Sequence, residues 1–360
     1  MQIQGAHAYQ LTASGKPLEL IELPPLEPRQ DEVVIQVMGC GVCHTDVGFA
    51  YEGVPTRRAL PITLGHEICG RVVAVGENAG NWQGRLVVVP AVIPCGNCAA
   101  CRAGRPTICR NQFMPGNDGD GGFATHVRVP ARGLCAVPEP LPAGIRPELL
   151  SVIADAVTTP WEAIRRAKVG PDDVAVFVGA GGIGGFGVQI ASSLGAAVAA
   201  IDIDQEKLDL ASKHGAACAI NSANLDAKAI KTAVRNFAKE SGRHGIGLKV
   251  FEMSGTTAGQ QTAFDLLDFG GYLGVVGYTA KKVEVRLSNL MALDATARGN
   301  WGCPPDQYPA ALDLVLKGKI AVQPYVEEHS LEEAPAIFEA VARKAIRRRV
   351  ILKPSGNGKA

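Results

Sequence analysis

The chain has 360 residues, 47% hydrophobic and 20% charged, with a formal net charge of +1. That length implies two domains with ordinary apolar cores, and so small a charge gives no reason to expect a nucleic acid or a membrane surface as partner. Glycine is abundant at 42 residues and aromatics are only 5%, a mixture that suits an α/β protein with tight turns and small-residue packing.

The N-terminal run MQIQGAHAYQLTASGKP lacks a basic segment followed by an apolar one, so no secretory signal is expected and the expected location is cytoplasmic. Up to about residue 155 the chain reads as short β runs broken by Gly and Pro: 33–37, 71–75, 85–90, 124–130 and 133–138. The pattern changes at ELLSVIADAVTTPWEAIRRAKV (148–169), which predicts a helix. The uncharged stretch 174–201 is too rich in glycine for a membrane span. Four of its glycines fall within 179–184, and it divides into strand, turn, helix and strand.

Strands and helices then alternate: strands 174–178, 197–203, 217–220, 248–253 and 272–277, with helices 182–194, 205–214, 225–240 and 258–268 between them. That rhythm predicts a doubly wound parallel sheet. The tail predicts a helix at 307–317, a strand at 321–326, a helix at 331–344, a closing strand in RRVILKP and a frayed end at GNGKA. No internal repeat is visible.

Two local patterns carry chemistry. Gly179-Ala-Gly181-Gly182-Ile183-Gly184 fits G-x-G-x-x-G, and it follows a buried strand and opens a helix. Such a loop lets the backbone approach a pyrophosphate at a helix N-terminus. Asp202 ends the next strand, 18 residues after Gly184, where an acid can bind a ribose 2′-hydroxyl and repel a 2′-phosphate. NAD is therefore expected rather than NADP. Lys207 is assigned to the same site, and Asp204 is the rival acid.

The second pattern is Cys95-x2-Cys98-x2-Cys101-x7-Cys109, four of the ten cysteines on one short loop. In a chain without a secretory signal this spacing points to a closed tetrahedral zinc shell, and so to a structural site, rather than to disulfides or an iron–sulfur cluster. Cys40, Cys69, Cys135, Cys218 and Cys303 lie outside the spacing and are expected as buried small hydrophobes.

Upstream, residues 40–67 (CGVCHTDVGFAYEGVPTRRALPITLGHE) hold Cys43 and His66, two zinc-type donors on separate loops. A catalytic zinc needs three protein ligands and one open position, so a third must come from elsewhere. Here GVCHTD, GHE, the four-cysteine loop and the strand–GxGxxG–helix unit occur together, and nearly the whole chain resembles the zinc-dependent medium-chain dehydrogenase/reductase superfamily of the alcohol dehydrogenase type. The resemblance implies a GroES-like β-rich catalytic domain at 1–157, a Rossmann NAD-binding domain at 158–298 and a return to the catalytic domain at 299–360. It also implies two zincs.

The resemblance implies Cys43 and His66 as catalytic zinc ligands. Glu67 matches the acid that can approach the metal when the open position empties. Asp155 falls where many relatives carry cysteine and is the expected third ligand, the alternative being a helix cap. Thr45 matches the hydroxyl that takes the alcohol's proton, and Asp46 the acid that orients the histidine. His44 and Arg347 match positions near the cofactor phosphates. Gly48 departs from the pattern, because many relatives carry a proton-relaying histidine there.

Residues 39–70, SVIADAVTTPWEAI and KAIRRRVILKP further resemble the subgroup that oxidises 6-hydroxycyclohex-1-ene-1-carbonyl-CoA in anaerobic benzoyl-CoA degradation. That would make the substrate a CoA thioester, with Arg57 and Arg58 able to meet its phosphates or simply lying on a solvated loop. The alternatives are a general alcohol dehydrogenase for benzyl, allyl or secondary alcohols, a conjugate reductase, and a non-enzymatic protein that keeps the fold. The family also implies a homodimer or homotetramer, with YLGVVGY and the segment after it as expected edge material.

Overall fold

The computed structural model describes residues 2–355, so the expected frayed end at 356–360 lies outside the described residues. The chain forms two compact units. Unit 1 comprises Met1–Thr158, Gly302–Leu316 and Val326–Ala360, and unit 2 comprises Thr159–Trp301 and Lys317–Tyr325. The stretch after 299 is thus shared, with 317–325 belonging to unit 2, rather than returning whole to unit 1.

Unit 1 is built on a seven-stranded sheet. Its spine is Glu32–Gly41, flanked on one side by Glu67–Val75 and on the other by the closing strand Arg349–Lys353. Val326–Ser330 runs parallel to that closing strand at the edge, and Leu86–Val89 continues the other side. These runs are Val- and Ile-rich and bury residues on both faces, as β-branched side chains favour. Val33, Ile35, Ile68, Val87 and Leu352 sit in one core with Phe123 and Phe338. The sheet pairing places Gly41 opposite both Glu67 and Ile351.

In unit 2 six parallel strands lie in the order Cys218–Asn221, Ala197–Asp202, Val174–Val178, Lys249–Glu252, Tyr272–Val275, Thr296–Gly299. The strand order reverses between Val174–Val178 and Lys249–Glu252, and ligands of doubly wound sheets bind beyond the carboxyl ends of the strands at that point. This is the expected α/β architecture.

Four expectations need correction. The helix expected over 148–169 is two pieces, a 3-10 helix at Pro147–Ala154 and an α-helix at Thr158–Arg166, with Asp155 in the break. The strand expected at 321–326 begins only at Val326, because Gln323–Tyr325 is a 3-10 turn. YLGVVGY is not an edge: Tyr272–Val275 is paired on both sides, and the edge strand is the fully exposed Thr296–Gly299. Cys218 is only partly buried, whereas Cys40, Cys69, Cys135 and Cys303 are buried as expected.

Candidate metal centres and cofactor loop

Unit 1 brings four donors together. Single ligand atoms from Cys43, His66, Glu67 and Asp155 all lie within 4.8 Å of one another. Cys43 Sγ is 3.7 Å from Asp155 Oδ2, and His66 Nε2 is 3.7 Å from the same oxygen. Cys43 immediately precedes the helix His44–Tyr51, His66 immediately precedes the strand Glu67–Val75, and Asp155 occupies the helical break. Asp155 is the C-cap residue of the 3-10 helix Pro147–Ala154 and stands three residues before the α-helix at Thr158. One thiolate, one imidazole and carboxylate oxygens form a donor set that suits zinc.

Asp46 organises this cluster. It is fully buried. Its Oδ2 accepts from the Cys43 N–H at 3.0 Å, while Oδ1 accepts from the Gly65 N–H at 3.2 Å and lies 3.2 Å from His66 Nδ1. A carboxylate on Nδ1 leaves Nε2 as the metal-facing nitrogen. Burial alone would depress the His66 pKa, but the charges of Asp46 and Cys43 outweigh it and raise the value well above normal. Thr45 Oγ1 is 3.6 Å from Cys43 Sγ, beside the donor set.

Glu67 has a partner that the sequence reading missed. Arg349, the first residue of the closing strand, donates through Nε to Glu67 Oε2 at 3.1 Å and through its NH2 group to Oε1. Glu67 is fully buried and Arg349 nearly so. Arg349 also stands 3.9 Å from Asp155 Oδ2. Burial pushes the Glu67 carboxyl up to about 7 against the opposing pull of Arg349. Gly41 makes the room: a Cβ there would overlap the Glu67 carboxylate. Arg347, expected at the cofactor, lies two residues upstream on an exposed segment.

The four-cysteine loop is assembled as expected. Its Sγ separations are 3.5 Å (Cys98–Cys101), 3.5 Å (Cys95–Cys109), 3.7 Å (Cys98–Cys109) and 4.0 Å (Cys95–Cys101). A tetrahedron with zinc–sulfur bonds of about 2.3 Å has edges of about 3.8 Å, so these thiols fit a closed zinc shell. The Asn97 N–H holds the Cys95 thiol down to about 6, while desolvation pushes Cys101 up to about 11.

In unit 2 the glycine loop begins where the strand Val174–Val178 ends, at the reversal of strand order. Gly179 has φ +95°, and a Cβ on it would meet Ser254 backbone at 2.7 Å. A Cβ on Gly184 would collide with the Gly179 carbonyl, so both positions require glycine. Gly181, Gly182 and Ile183 form the turn into the helix Gly184–Ser193. Lys207 Nζ stands 3.9 Å from the Cβ position of Gly181, at the loop.

Asp202 ends its strand and accepts from Ala180 N–H at 2.8 Å, which ties it to the loop. Its rival Asp204 instead caps the helix Gln205–Lys213 by accepting from Glu206 N–H. Elsewhere, His44 is exposed and lies 3.6 Å from Glu52. Arg57 and Arg58 are each engaged by an acid, Asp118 at 3.2 Å and Asp120 at 2.5 Å.

Family models match two parts of the chain: an alcohol dehydrogenase GroES-like domain at residues 29–139 and a zinc-binding dehydrogenase domain at 182–317. An alcohol dehydrogenase of Geobacillus stearothermophilus is 32% identical over 349 residues, 94% of this chain and 96% of the relative. The chain belongs to the zinc-binding medium-chain alcohol dehydrogenases. It is also similar to the NAD-dependent alcohol dehydrogenase of Sulfurisphaera tokodaii, 34% identical over 61% of this chain and 65% of that one. Among solved structures, the alcohol dehydrogenase of Aeropyrum pernix has a TM-score of 0.84 and 29% identity, covering 97% of this chain and 100% of its own. No helix among the described residues is long and apolar enough to cross a membrane.

Proposed function

We propose that this zinc dehydrogenase oxidises small alcohols to carbonyl compounds with NAD, at a zinc centre held by Cys43, His66 and Asp155. The observation that carries the reading is the convergence of those donors, with Thr45 beside them and Asp46 behind the histidine. When bound, zinc supplies a Lewis acid that acidifies the alcohol, and NAD supplies the hydride acceptor.

The residues do the rest. Asp46 fixes the His66 tautomer. Thr45 receives the hydroxyl proton. Arg349 engages the Glu67 carboxylate at the edge of the donor set, keeping it as a reserve fourth donor while the open position takes substrate. Gly48 offers no relay group; the atoms nearest its Cβ position are Val54 Cγ2 at 3.6 Å and Glu52 Oε2 at 3.8 Å. Glu52 also faces His44 at 3.6 Å, and as Thr45 takes the substrate proton its own passes on to solvent water. The glycine loop with Lys207 receives the pyrophosphate, and Asp202 selects NAD by its charge.

The general alcohol substrate is favoured over the CoA thioester 6-hydroxycyclohex-1-ene-1-carbonyl-CoA. Arg57 and Arg58, the cations available for CoA phosphates in that reading, each already face an acid, Asp118 and Asp120. Relatives named for alcohols span almost the whole chain. A homo-oligomer in the cytoplasm completes the reading, with the exposed strand Thr296–Gly299 and nearby Leu287 and Met291 as the face for a second copy. The test is NADH formation from benzyl alcohol, 2-cyclohexenol and the ring thioester. Equal or faster turnover of the free alcohols supports the general reading, and a kcat/KM several decades higher for the thioester overturns it.

A further inference from the structure

The third metal ligand sits in a place that gives a side chain little support of its own. Asp155 occupies the break between two helical segments, where the regular backbone ladder stops. A ligand on such a segment holds its position only if the flanking backbone is fixed from outside.

The fixing group comes from far along the chain. Tyr308, 1% exposed, begins the helix Tyr308–Leu316. Its hydroxyl donates to the Ala154 carbonyl at 2.5 Å, and Ala154 is bonded directly to Asp155. The same hydroxyl accepts from the Ala91 N–H at 3.1 Å, just beyond the strand Leu86–Val89. Thr158 Oγ1 adds a second donor to the Ala154 carbonyl at 3.2 Å, and the Ala91 N–H, shared with the phenol, reaches the same carbonyl at a longer 3.4 Å. The buried phenol makes the shortest of these bonds and, by bridging Ala91 and Ala154, tightens the hold of unit 1 on the peptide group before the ligand.

We propose that Tyr308 is a positioning residue for the catalytic metal: its hydroxyl sets the backbone from which Asp155 reaches the Cys43–His66 donor pair. This rests on the reading of Asp155 as a zinc ligand. Tyr308 acts through the Ala154 carbonyl. The two metal sites of one chain then respond differently to its loss, because Tyr308 serves one of them and the cysteine loop folds on its own residues.

The experiment compares wild type with Tyr308→Phe, which keeps the ring in the core and removes only the hydroxyl. Zinc per chain is counted, zinc affinity is measured by competition with a chelator, and the absorption spectrum is recorded with cobalt in place of zinc. Groups that orient metal ligands typically alter affinity by about ten- to a hundredfold. The expected result is a loss of that size at the Cys43–His66–Asp155 site, a shifted cobalt spectrum from that site, and an unchanged four-cysteine site.

Thr158→Val, acting on the same carbonyl, is expected to weaken the same zinc by a smaller factor. It serves in place of Tyr308→Phe if that protein does not fold. Equal affinity and an unchanged cobalt spectrum in the variants overturn the proposal, as does zinc lost equally from both sites. Wild type that holds zinc only in the cysteine loop overturns the reading of the Cys43 site, and this proposal with it.

Discussion

Arg349→Met tests whether the buried ion pair matters to unit 1. Glu67 is fully buried and takes two bonds from the Arg349 guanidinium. Removing the arginine leaves a carboxylate without its countercharge beside Asp155. Breaking a buried pair from one side costs about 3–5 kcal/mol, whereas replacing both partners by neutral groups of similar volume is often close to neutral. The double variant Glu67→Gln/Arg349→Met should therefore cost less than the two single variants added together, by about 2–3 kcal/mol.

Amide exchange of the strand Arg349–Lys353 and its neighbour Glu32–Gly41 in zinc-free protein reports unit 1 without averaging over unit 2. Protection there should fall by about a hundredfold to a few thousandfold in Arg349→Met and recover in the double variant, at about 1.4 kcal/mol per decade. Strict additivity, or an Arg349→Met protein within about 1 kcal/mol of wild type, would refute the reasoning, since the pair would then be a contact without a desolvated charge at stake.

Three further outcomes are expected. Asp202→Ala should raise the KM for NAD about tenfold to a hundredfold with a smaller change in kcat, the worth of about 1.5–3 kcal/mol for a charge-assisted bond, and should narrow the gap between NAD and NADP in kcat/KM. Gly184→Ala should abolish NAD binding in calorimetry, because its Cβ cannot coexist with the Gly179 carbonyl. Cys101→Ser should lower zinc from two atoms per chain to one and expose the loop at 95–109 to protease, with the remaining zinc bound as tightly as in wild type.

The parts of the site written in contiguous residues were legible in sequence. The cysteine loop and the glycine loop each carry their geometry in spacing, and the fold brings the four thiols together and sets the glycine loop at the start of a helix. Asp155 was legible only through family resemblance, since apolar periodicity runs through 148–169 without a stop. The break shows weakly in Pro160, which suits the first turn of a helix rather than its interior. Arg349 was missed because three successive arginines at 347–349 look alike in sequence. The usable signal was Glu67, an acid opening a strand buried on both faces, which demands a buried cation opposite. The true edge strand was invisible because Thr-Ala-Arg-Gly has no β-rich run; it pairs because the preceding turn delivers it beside Tyr272–Val275.

Glu67 and Arg349 are 282 residues apart, and Ala154 and Tyr308 are 154 apart. During synthesis the three proposed metal donors emerge early, while Tyr308 follows only after Thr159–Trp301 of unit 2 and Arg349 only after the whole of it. A growing chain thus carries a thiol, an imidazole and two carboxylates with no means of holding them at fixed separations. Local helices close quickly, but contacts across such distances wait for loop closure. On the proposed ligand assignment, zinc loading at Cys43 is expected in the last stage of folding, whereas the cysteine loop at 95–109, whose donors lie close in sequence, is expected to take its ion earlier.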